Sequence, residues 1–327
     1  MISNNFASTV IAAGGSIRPL TIPATSTNGT GLINPSILVA NDEIIVNLRH
    51  IQYTLYHAEL NKFEHQWGPL VYLNPENDIT LTTVNYICKL NNDSLGVESY
   101  YKVDTSKFDK KPLWEFVGLE DARLVSWDNK FYLCGVRRDT TTNGEGRMEM
   151  SEIKFSDSNV VEVSRSRIPA PGKNDSYCEK NWMPILDKPF HFVKWTNPTE
   201  VVKVDLNKLT CETVFIGDHI QLPADLRGGS QVIPWGEGYL TLNHETNLYT
   251  SEAGRKDATY RHRFTYWDKD FKNRKFSELF SFMDAKIEFA CGMAEYRDNL
   301  LITFGFQDNA AFIIRVPKTL INKMLND

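Results

Sequence analysis

The chain has 327 residues, of which 42% are hydrophobic and 24% are charged, and its formal net charge is −5. A chain of this length and hydrophobic content can bury a sizeable core. The weakly acidic charge argues against a nucleic-acid-binding protein, because such proteins present a basic surface to the phosphates.

The N-terminal residues and the cysteines predict a cytoplasmic protein. Residues 1–16 lack the basic start of a secretory signal, and the sequence has no apolar run of about 18 residues that would span a membrane. The five cysteines are odd in number and have no metal-site spacing, so we expect reduced thiols and no bound metal. They are Cys88, Cys134, Cys178, Cys211 and Cys291.

Five segments of the chain repeat one layout, in which a polar start precedes two apolar strands joined by a tight turn. The turns contain Asn, Asp, Gly or Pro, which favour hairpins. In chain order the segments are NPSILVANDEIIVNLRH from Asn34, EDARLVSWDNKFYLCGVRR from Glu120, NWMPILDKPFHFVKW from Asn181, GSQVIPWGEGYLTLNHE from Gly229 and ACGMAEYRDNLLITFGF from Ala290. Further alternating runs, such as GRMEMSEIKF after the second hairpin, predict additional strands.

Five repeats of about four strands predict an all-β, five-bladed β-propeller that closes on itself. The last repeat is short, and we expect STVIAAGG or SIRPLTI near the N-terminus to supply its missing strand. KTLINKML near the C-terminus has helical periodicity. Residues 1–327 are predicted to form a single domain. A pair of β-sandwiches or two stacked barrels is the alternative, but neither predicts five copies of one hairpin.

In a propeller the innermost strands surround the central axis, so polar residues at their ends converge although they are far apart in the sequence. The Glu120-Asp121-x-Arg123 group is the clearest candidate, because alternation puts Asp121 and Arg123 on one side of a strand. A carboxylate there can exchange a proton with a substrate, although a close arginine lowers its pKa. Single residues of this kind can also form salt bridges that lock blades together.

The ordered motifs from residue 30 to residue 315 resemble glycoside hydrolase family 130, whose members are five-bladed propellers that act as β-mannoside phosphorylases and hydrolases. The Asn34-Pro35-Ser36 start, GLEDARLV from Gly118 and EKNWMP from Glu179 carry the resemblance. GGSQVIPWGEGYLTLNHE from Gly228 and LLITFGFQDNAA from Leu300 complete it.

The resemblance implies roles for individual residues. Asp121 would be the general acid that protonates the glycosidic oxygen. Phosphate would be bound by Lys180, His244 and Arg167, or by Arg165 in place of Arg167, with Arg49 beside the phosphate or the sugar. The other expected substrate-binding residues are Asn34, Ser36, Arg49, Glu120, Arg123, Asn181, Glu288 and Asp308.

Two departures from the family pattern stand near these residues. Ala122 replaces the proline of the family's Glu-Asp-Pro-Arg signature, and Asn243-His244-Glu245 replaces Tyr-His-Gly. A hydrolase needs a second carboxylate to activate water or attack the sugar, and the sequence offers Glu120, Glu245, Glu288 or Asp308. Phosphorolysis needs none, because phosphate is the nucleophile and cations bind it.

The first hypothesis is therefore an inverting phosphorylase or related glycosidase that acts on a β-mannoside, with inorganic phosphate as co-substrate and no cofactor. The chain also resembles propeller domains of bacterial glycosyltransferase-like proteins through Tyr260–Phe264 and Ile287–Phe289, so the first alternative is a transferase that uses a nucleotide sugar or a sugar 1-phosphate. The second alternative is a non-catalytic propeller that binds a glycan or a protein. The expected partners are a sugar or oligosaccharide and phosphate or a sugar nucleotide, without membrane or nucleic acid, and the resemblance allows a homo-oligomer.

Overall fold

The structure, a computed structural model, describes residues 5–29, 31–54, 62–63, 70–72, 79–156, 158–172, 176–250 and 256–326. The chain is an all-β, five-bladed propeller, as the repeats predict. That residues 1–327 form a single domain stays a proposal.

Two short helices and one strand precede the first blade, and their bounds are α1 (Phe6–Ala12), β1 (Ser16–Pro19) and α2 (Ala24–Thr27). The expectation of a strand at STVIAAGG was wrong, because this segment lies within and after α1. The Asn5 side chain caps the helix by accepting a hydrogen bond from the Ser8 N–H, and Phe6, Ala7 and Val10 are buried at helical spacing.

Each blade consists of antiparallel strands in chain order from the axis outwards. Blade 1 comprises β2 (Leu32–Ala40), β3 (Glu43–His50), β7 (Val84–Leu90) and β8 (Val97–Asp104), and a small sheet between β3 and β7 comprises β4 (Tyr53–Thr54), β5 (Lys62–Phe63) and β6 (Leu70–Tyr72). Blade 2 comprises β9 (Glu120–Trp127), β10 (Lys130–Arg137), β11 (Arg147–Phe155) and β12 (Val160–Arg167).

The other three blades follow the same order. Blade 3 comprises β13 (Met183–Pro184), β14 (His191–Thr196), β15 (Thr199–Asp205) and β16 (Thr210–Ile216). Blade 4 comprises β17 (Leu226–Arg227), β18 (Ile233–Trp235), β19 (Gly238–Thr250), β20 (Lys256–Asp268) and β21 (Arg274–Phe276). Blade 5 comprises β22 (Glu288–Tyr296), β23 (Asn299–Phe306) and β24 (Ala310–Pro317), and α3 (Lys318–Asn326) follows at the predicted place.

The N-terminal strand closes the propeller. β1 pairs with β24 as the outermost strand of blade 5, in the register Ser16 opposite Arg315. The prediction that SIRPLTI completes the last blade is therefore confirmed.

Five apolar clusters fill the five interfaces between neighbouring blades, including the interface between blades 5 and 1. The alternating faces of the strands supply these clusters, so every inner strand buries one face against each neighbour. The radial arrangement of the blades leaves only short, protected sheet edges at the axis.

A buried glutamine ties the blades together at the axis. The Gln231 side chain of blade 4 donates hydrogen bonds to the carbonyls of Ile37 in blade 1 and Leu124 in blade 2, at 2.7 and 3.0 Å. Its carbonyl oxygen accepts a hydrogen bond from the Met293 N–H in blade 5 at 3.0 Å. One side chain therefore links four blades.

Candidate active site

Asp121 lies at the start of the innermost strand of blade 2, where the strand is bulged. The pairing of β9 with β10 shifts register between Cys134 and Val136, and Asp121 has a left-handed φ of 47°. Asn34 has the same setting in blade 1, with a φ of 44° beside a register shift between Ile33 and Ser36. Left-handed backbone is uncommon for residues other than glycine and clusters at functional sites.

Glycines on the neighbouring strands make room for these bulges. A Cβ atom at Gly135 would lie 2.5 Å from the Glu120 carbonyl oxygen, and one at Gly305 would overlap the Asn34 side chain. The close approach of backbone to bulge therefore requires glycine at both positions.

The Asp121 carboxylate is held by two residues of blade 1. Its Oδ1 accepts hydrogen bonds from Arg49 NH1 and from Asn34 Nδ2, each at 2.7 Å. Burial alone would raise the pKa of Asp121, but the Arg49 charge and the Asn34 hydrogen bond, together with Arg123, hold it below its usual value. Asp121 is therefore ionised at neutral pH in this state of the protein, while 18% of its side chain stays exposed.

Arg49 lies between two carboxylates. Its NH2 donates to Glu120 Oε2 at 3.1 Å and to the Tyr53 hydroxyl at 3.3 Å, and its Nε donates to Thr83 Oγ1 at 3.2 Å. These contacts, with the bond to Asp121, use four of the five N–H donors of the guanidinium, so it is fixed in one orientation.

Buried acceptors without partners accompany this cluster. Among the described residues, neither Asn34 Oδ1 nor Glu120 Oε1 has a hydrogen-bond partner. Unpaired buried acceptors are costly. A ligand with several hydroxyl groups would satisfy them, as a sugar does.

Arg123 positions the backbone around Asp121. Its side chain is fully buried and donates to the Gly229 carbonyl at 2.6 and 2.9 Å, to the Asp121 carbonyl at 2.7 Å and to Asn181 Oδ1 at 3.3 Å. Arg123 therefore joins blades 2, 3 and 4, and its N–H donors form hydrogen bonds within the protein.

Across from Asp121, two basic residues face a buried histidine. Lys180 precedes Asn181, and Arg227 is paired with His244 in the register of β17 and β19. The charges of both residues act on His244. In the part of the chain that the structure describes, neither Lys180 nor Arg227 has a carboxylate within ion-pairing distance. An anion is the partner that such a pair lacks.

His244, one of the expected phosphate-binding residues, carries no positive charge at neutral pH. Burial lowers its pKa well below the usual value, and His262, Arg227, Arg123 and Lys180 lower it further. His244 is neutral at pH 7 and packs edge-on against Phe289, with ring centroids 4.9 Å apart. It can donate or accept one hydrogen bond, but it brings no charge to an anion.

The remaining predicted residues fall into two groups. Asp308 lies near the cluster, because its charge acts on Tyr53 together with those of Glu120 and Asp121. Ser36, Glu288 and Arg167 have contacts that do not bring them to the cluster. Ser36 Oγ donates to the Ala122 carbonyl and accepts from the Leu124 N–H, and the Glu288 carboxylate accepts the N–H groups of Phe282, Met283 and Ala285. Arg167 contacts Arg137, Glu145 and Glu149. The polar side-chain atoms of Ser36 and Glu288 are therefore occupied by partners within the protein.

Sequence reasoning missed an aromatic group beside the cluster. Tyr53 packs edge-on against Phe116, with centroids 5.7 Å apart, and the Arg138 guanidinium lies over Phe116 and donates to the Tyr177 hydroxyl at 3.1 Å. Tyr53, Phe116 and Tyr177 lie outside the repeated hairpins, so the repeat gave no signal for them. The four residues extend the cluster to Tyr177, which precedes Lys180 by three positions in the chain.

Comparisons with solved structures identify the fold. The chain is similar to a β-1,2-mannobiose phosphorylase from Listeria innocua, with 14% identity, a TM-score of 0.57 and coverage of 95% of this chain and 93% of that one. It is also similar to a glycosyl hydrolase from Bacteroides ovatus, with 12% identity, a TM-score of 0.56 and coverage of 89% and 85%. A GDP-Man-dependent mannosyltransferase from Leishmania mexicana matches with 11% identity, a TM-score of 0.52 and coverage of 92% and 90%.

These similarities show a propeller fold of the glycoside hydrolase family 130 type. No protein-family model and no curated protein matches the sequence. Among the described residues, no helix is long and apolar enough to cross a membrane, and no three His, Cys, Asp or Glu side chains are grouped as a metal site requires.

Proposed function

We propose that this chain is a carbohydrate-active enzyme that acts on a β-mannoside-like glycosidic bond by inverting phosphorolysis, with Asp121 as the proton-transferring residue. One observation carries the proposal: Arg123 links the ordered carboxylate Asp121 to two basic residues that have no carboxylate partner among the described residues. It donates to the Asp121 carbonyl, to Asn181, which follows Lys180, and to the Gly229 carbonyl, two residues after Arg227. The unpaired acceptors of Asn34 and Glu120 support a ligand rich in hydroxyl groups.

The proposed reaction assigns each group a task. A phosphate oxygen attacks the anomeric carbon from the face opposite the leaving group. Asp121 takes up a proton from solvent when the productive complex forms, and as the bond from that carbon to the glycosidic oxygen breaks it donates this proton to the leaving oxygen, directly or through a sugar hydroxyl. Lys180 and Arg227 bind the phosphate, and the products are a sugar 1-phosphate with inverted configuration and a sugar with a free hydroxyl.

Three of the four other candidate carboxylates are poorly placed to activate water, which favours phosphate as the nucleophile. Glu245 is paired with Arg263 at 2.6 Å, and Glu288 is capped by three backbone N–H groups. Glu120 shares Arg49 with Asp121 and lies next to it in the chain. An inverting hydrolase instead places its base about 6.5–9.5 Å from the acid, with a water between them.

The ionised state of Asp121 supports transfer as a second candidate function. A carboxylate with a lowered pKa is ready to accept a proton from an acceptor hydroxyl. By microscopic reversibility, the acid of phosphorolysis is the base of synthesis. The same cations would then stabilise the leaving diphosphate of a nucleotide sugar, as fits the similarity to a GDP-Man-dependent mannosyltransferase.

The phosphate dependence of product release separates the two functions. The purified chain is incubated with β-mannosides and β-glucosides with and without inorganic phosphate, and in parallel with GDP-mannose or UDP-glucose and acceptor sugars. Release of sugar 1-phosphate that requires phosphate is the expected result. Turnover with a nucleotide sugar alone would assign the chain to the transferases. The absence of product with every donor would contradict the enzymatic proposal.

A further inference from the structure

A cavity of about 630 Å³ lies between blade 1 and blade 2, outside the Asp121 cluster. Thr83, Gly118 and Leu119 line it and also form the wall that separates it from Arg49 and Glu120. This wall is held by a backbone bridge between Thr82 and Val117. The cavity is therefore a distinct compartment that shares one wall with the candidate active site.

The sequence of β11 explains why the blades do not close on each other here. Glu149, Ser151 and Ile153 share the face of β11 that looks towards blade 1, because strand residues alternate. Ile153 belongs to the apolar cluster of this interface, whereas Glu149 and Ser151 line the cavity. The outer strands β8 and β12 pair only at Val160 with Val103 and at Val161 with Asp104, so the interface opens beyond them.

Three arginines converge on Glu149 at the inner end of the cavity. Arg137 Nε donates to Glu149 Oε2 at 2.7 Å, Arg167 NH1 lies 3.6 Å from Glu149 Oε1, and the charge of Arg165 also acts on this carboxylate. Arg137 additionally contacts Asp139 Oδ2 at 3.2 Å. Buried charges stabilise a fold poorly compared with apolar packing, so a cluster of this kind between two blades calls for another role.

The basic side chains of the lining outnumber the acidic ones, but Arg165 also pairs with Glu162 at 2.6 Å and Arg167 with Glu145 at 3.4 Å, so the lysines carry the excess positive charge. The acidic side chains of the lining are Asp109, Asp139 and Glu149, and the basic ones are Lys102, Lys110, Lys111, Arg137, Arg165 and Arg167. The three lysines are exposed at the rim, while Arg137 is buried. A surplus of cations in a recess attracts an anion.

A loop from blade 1 covers the cavity and is attached to blade 2 by Arg165. Its NH1 donates to the Phe108 carbonyl at 2.9 Å, and its NH2 contacts Asp109 Oδ1 at 2.9 Å. The loop also brings Lys110 and Lys111 to the rim. Arg165 thus connects the covering loop and its two rim lysines to the cluster around Glu149.

We propose that this cavity binds a hexose phosphate, with the phosphate towards the rim lysines and the sugar towards the polar wall. Its volume falls in the range of about 300–1,000 Å³ that holds small ligands. Lysine ammonium groups bind phosphate as point charges. Thr82 and Ser151 offer partners for sugar hydroxyls, and Val84, Leu113 and Leu119 offer apolar surface.

The shared wall couples the cavity to the candidate active site. Thr83 accepts the Arg49 hydrogen bond, and Gly118 N–H donates to Asp139 Oδ2 at 2.8 Å inside the cavity lining. A ligand against this wall would change the placement of Arg49 and of the segment that leads into Asp121. Binding itself does not depend on the reaction proposed for Asp121.

The test measures binding of glucose 6-phosphate and mannose 6-phosphate by isothermal titration calorimetry. It uses the K180A/R227A variant, so that the proposed anion site beside His244 does not contribute. We expect one binding site, with inorganic phosphate and the free hexoses at least about tenfold weaker, because each lacks half of the contacts. Adding K110E/K111E should weaken binding at least about tenfold, since two cations at the rim are reversed.

K269E/K275E is the matched control, because it makes the same charge change at two exposed lysines of blade 4. It should leave the affinity unchanged. A crystal soaked with the same hexose phosphate should show it between blades 1 and 2. No saturable binding, or equal affinity in the K110E/K111E and K269E/K275E variants, would overturn the proposal whatever the outcome of the activity assays.

Discussion

Arg49 and Asp121 are 72 residues apart in the sequence, yet Arg49 NH1 lies 2.7 Å from Asp121 Oδ1 across the interface of blades 1 and 2. The pair forms because both residues stand at strand ends near the axis, where the bulge of β9 brings Asp121 towards β3. It decides the charge state of the carboxylate on which the proposed chemistry depends.

Replacing Arg49 by glutamine should raise the pKa of Asp121. Burial then acts without the arginine charge that now holds this pKa below its usual value. We expect the alkaline limb of the pH–rate profile for phosphorolysis, in which Asp121 acts as the acid, to move upwards by at least about one pH unit. Stability should fall by about 3 kcal/mol because a buried ion pair loses one partner. Arg49→Lys keeps the charge and should move the limb less, and equal profiles for all three proteins would contradict this account.

Replacing Lys180 or Arg227 by alanine should weaken binding of the phosphate-bearing substrate. Each substitution removes a cation without a carboxylate partner among the described residues, so little of the fold should be disturbed. We expect the KM for phosphate, or for the nucleotide sugar in the transferase case, to rise at least about tenfold. Lys269→Ala, at an exposed site of blade 4, is the control and should leave the KM as it is.

Gln231→Met should destabilise the propeller. The substitution preserves the shape of the side chain but leaves the carbonyls of Ile37 and Leu124 and the N–H of Met293 without their partner. We expect a loss of about 3 kcal/mol in urea unfolding, because unpaired buried polar groups cost about 1–3 kcal/mol each. The exposed Gln221 serves as control, and a loss of stability as small as that of Gln221→Met would show that the axial contacts are not needed.

The buried His262 should make the protein sensitive to acid. Burial lowers its pKa to about 3, and its Nε2 accepts a hydrogen bond from the Ala290 N–H. The unfolded chain binds the proton at about pH 6.5, so this contribution to stability is present above that pH and is lost as the pH falls towards 3.

The His262→Phe variant checks this origin. The unfolding free energy of the unaltered chain should fall between pH 7 and pH 5, by up to about 1.4 kcal/mol per pH unit for each such histidine. His262→Phe should show a shallower fall, and His219→Phe, at an exposed position, should keep the original slope. An unchanged slope in His262→Phe would contradict the assignment.

The hairpins and the convergence of the site could be predicted from the sequence. The turn residues and alternating strands are local, and in a propeller the strand ends must meet at the axis, which is how Asn34, Arg49 and Asp121 could be grouped in advance. The roles of Ser36 and Glu288 could not be predicted, because their hydrogen-bond partners are backbone groups, which cannot be inferred from residue types. The neutrality of His244 likewise depends on burial and on charges from three blades.

Other expectations stay predictions. The cytoplasmic location, self-association and the absence of a cofactor depend on properties that the fold does not determine.

The turnover of Asp121→Asn, measured on the donor that the unaltered chain uses, tests the central claim most directly. Asparagine keeps the shape of the side chain but cannot exchange the proton, so we expect a loss of at least about 100-fold in both bond breakage and bond formation, with unchanged circular dichroism. Asp298→Asn, at the exposed turn of blade 5, should keep full activity. Full activity in Asp121→Asn would contradict the account, because the ordered carboxylate at the axis would then have no part in the reaction.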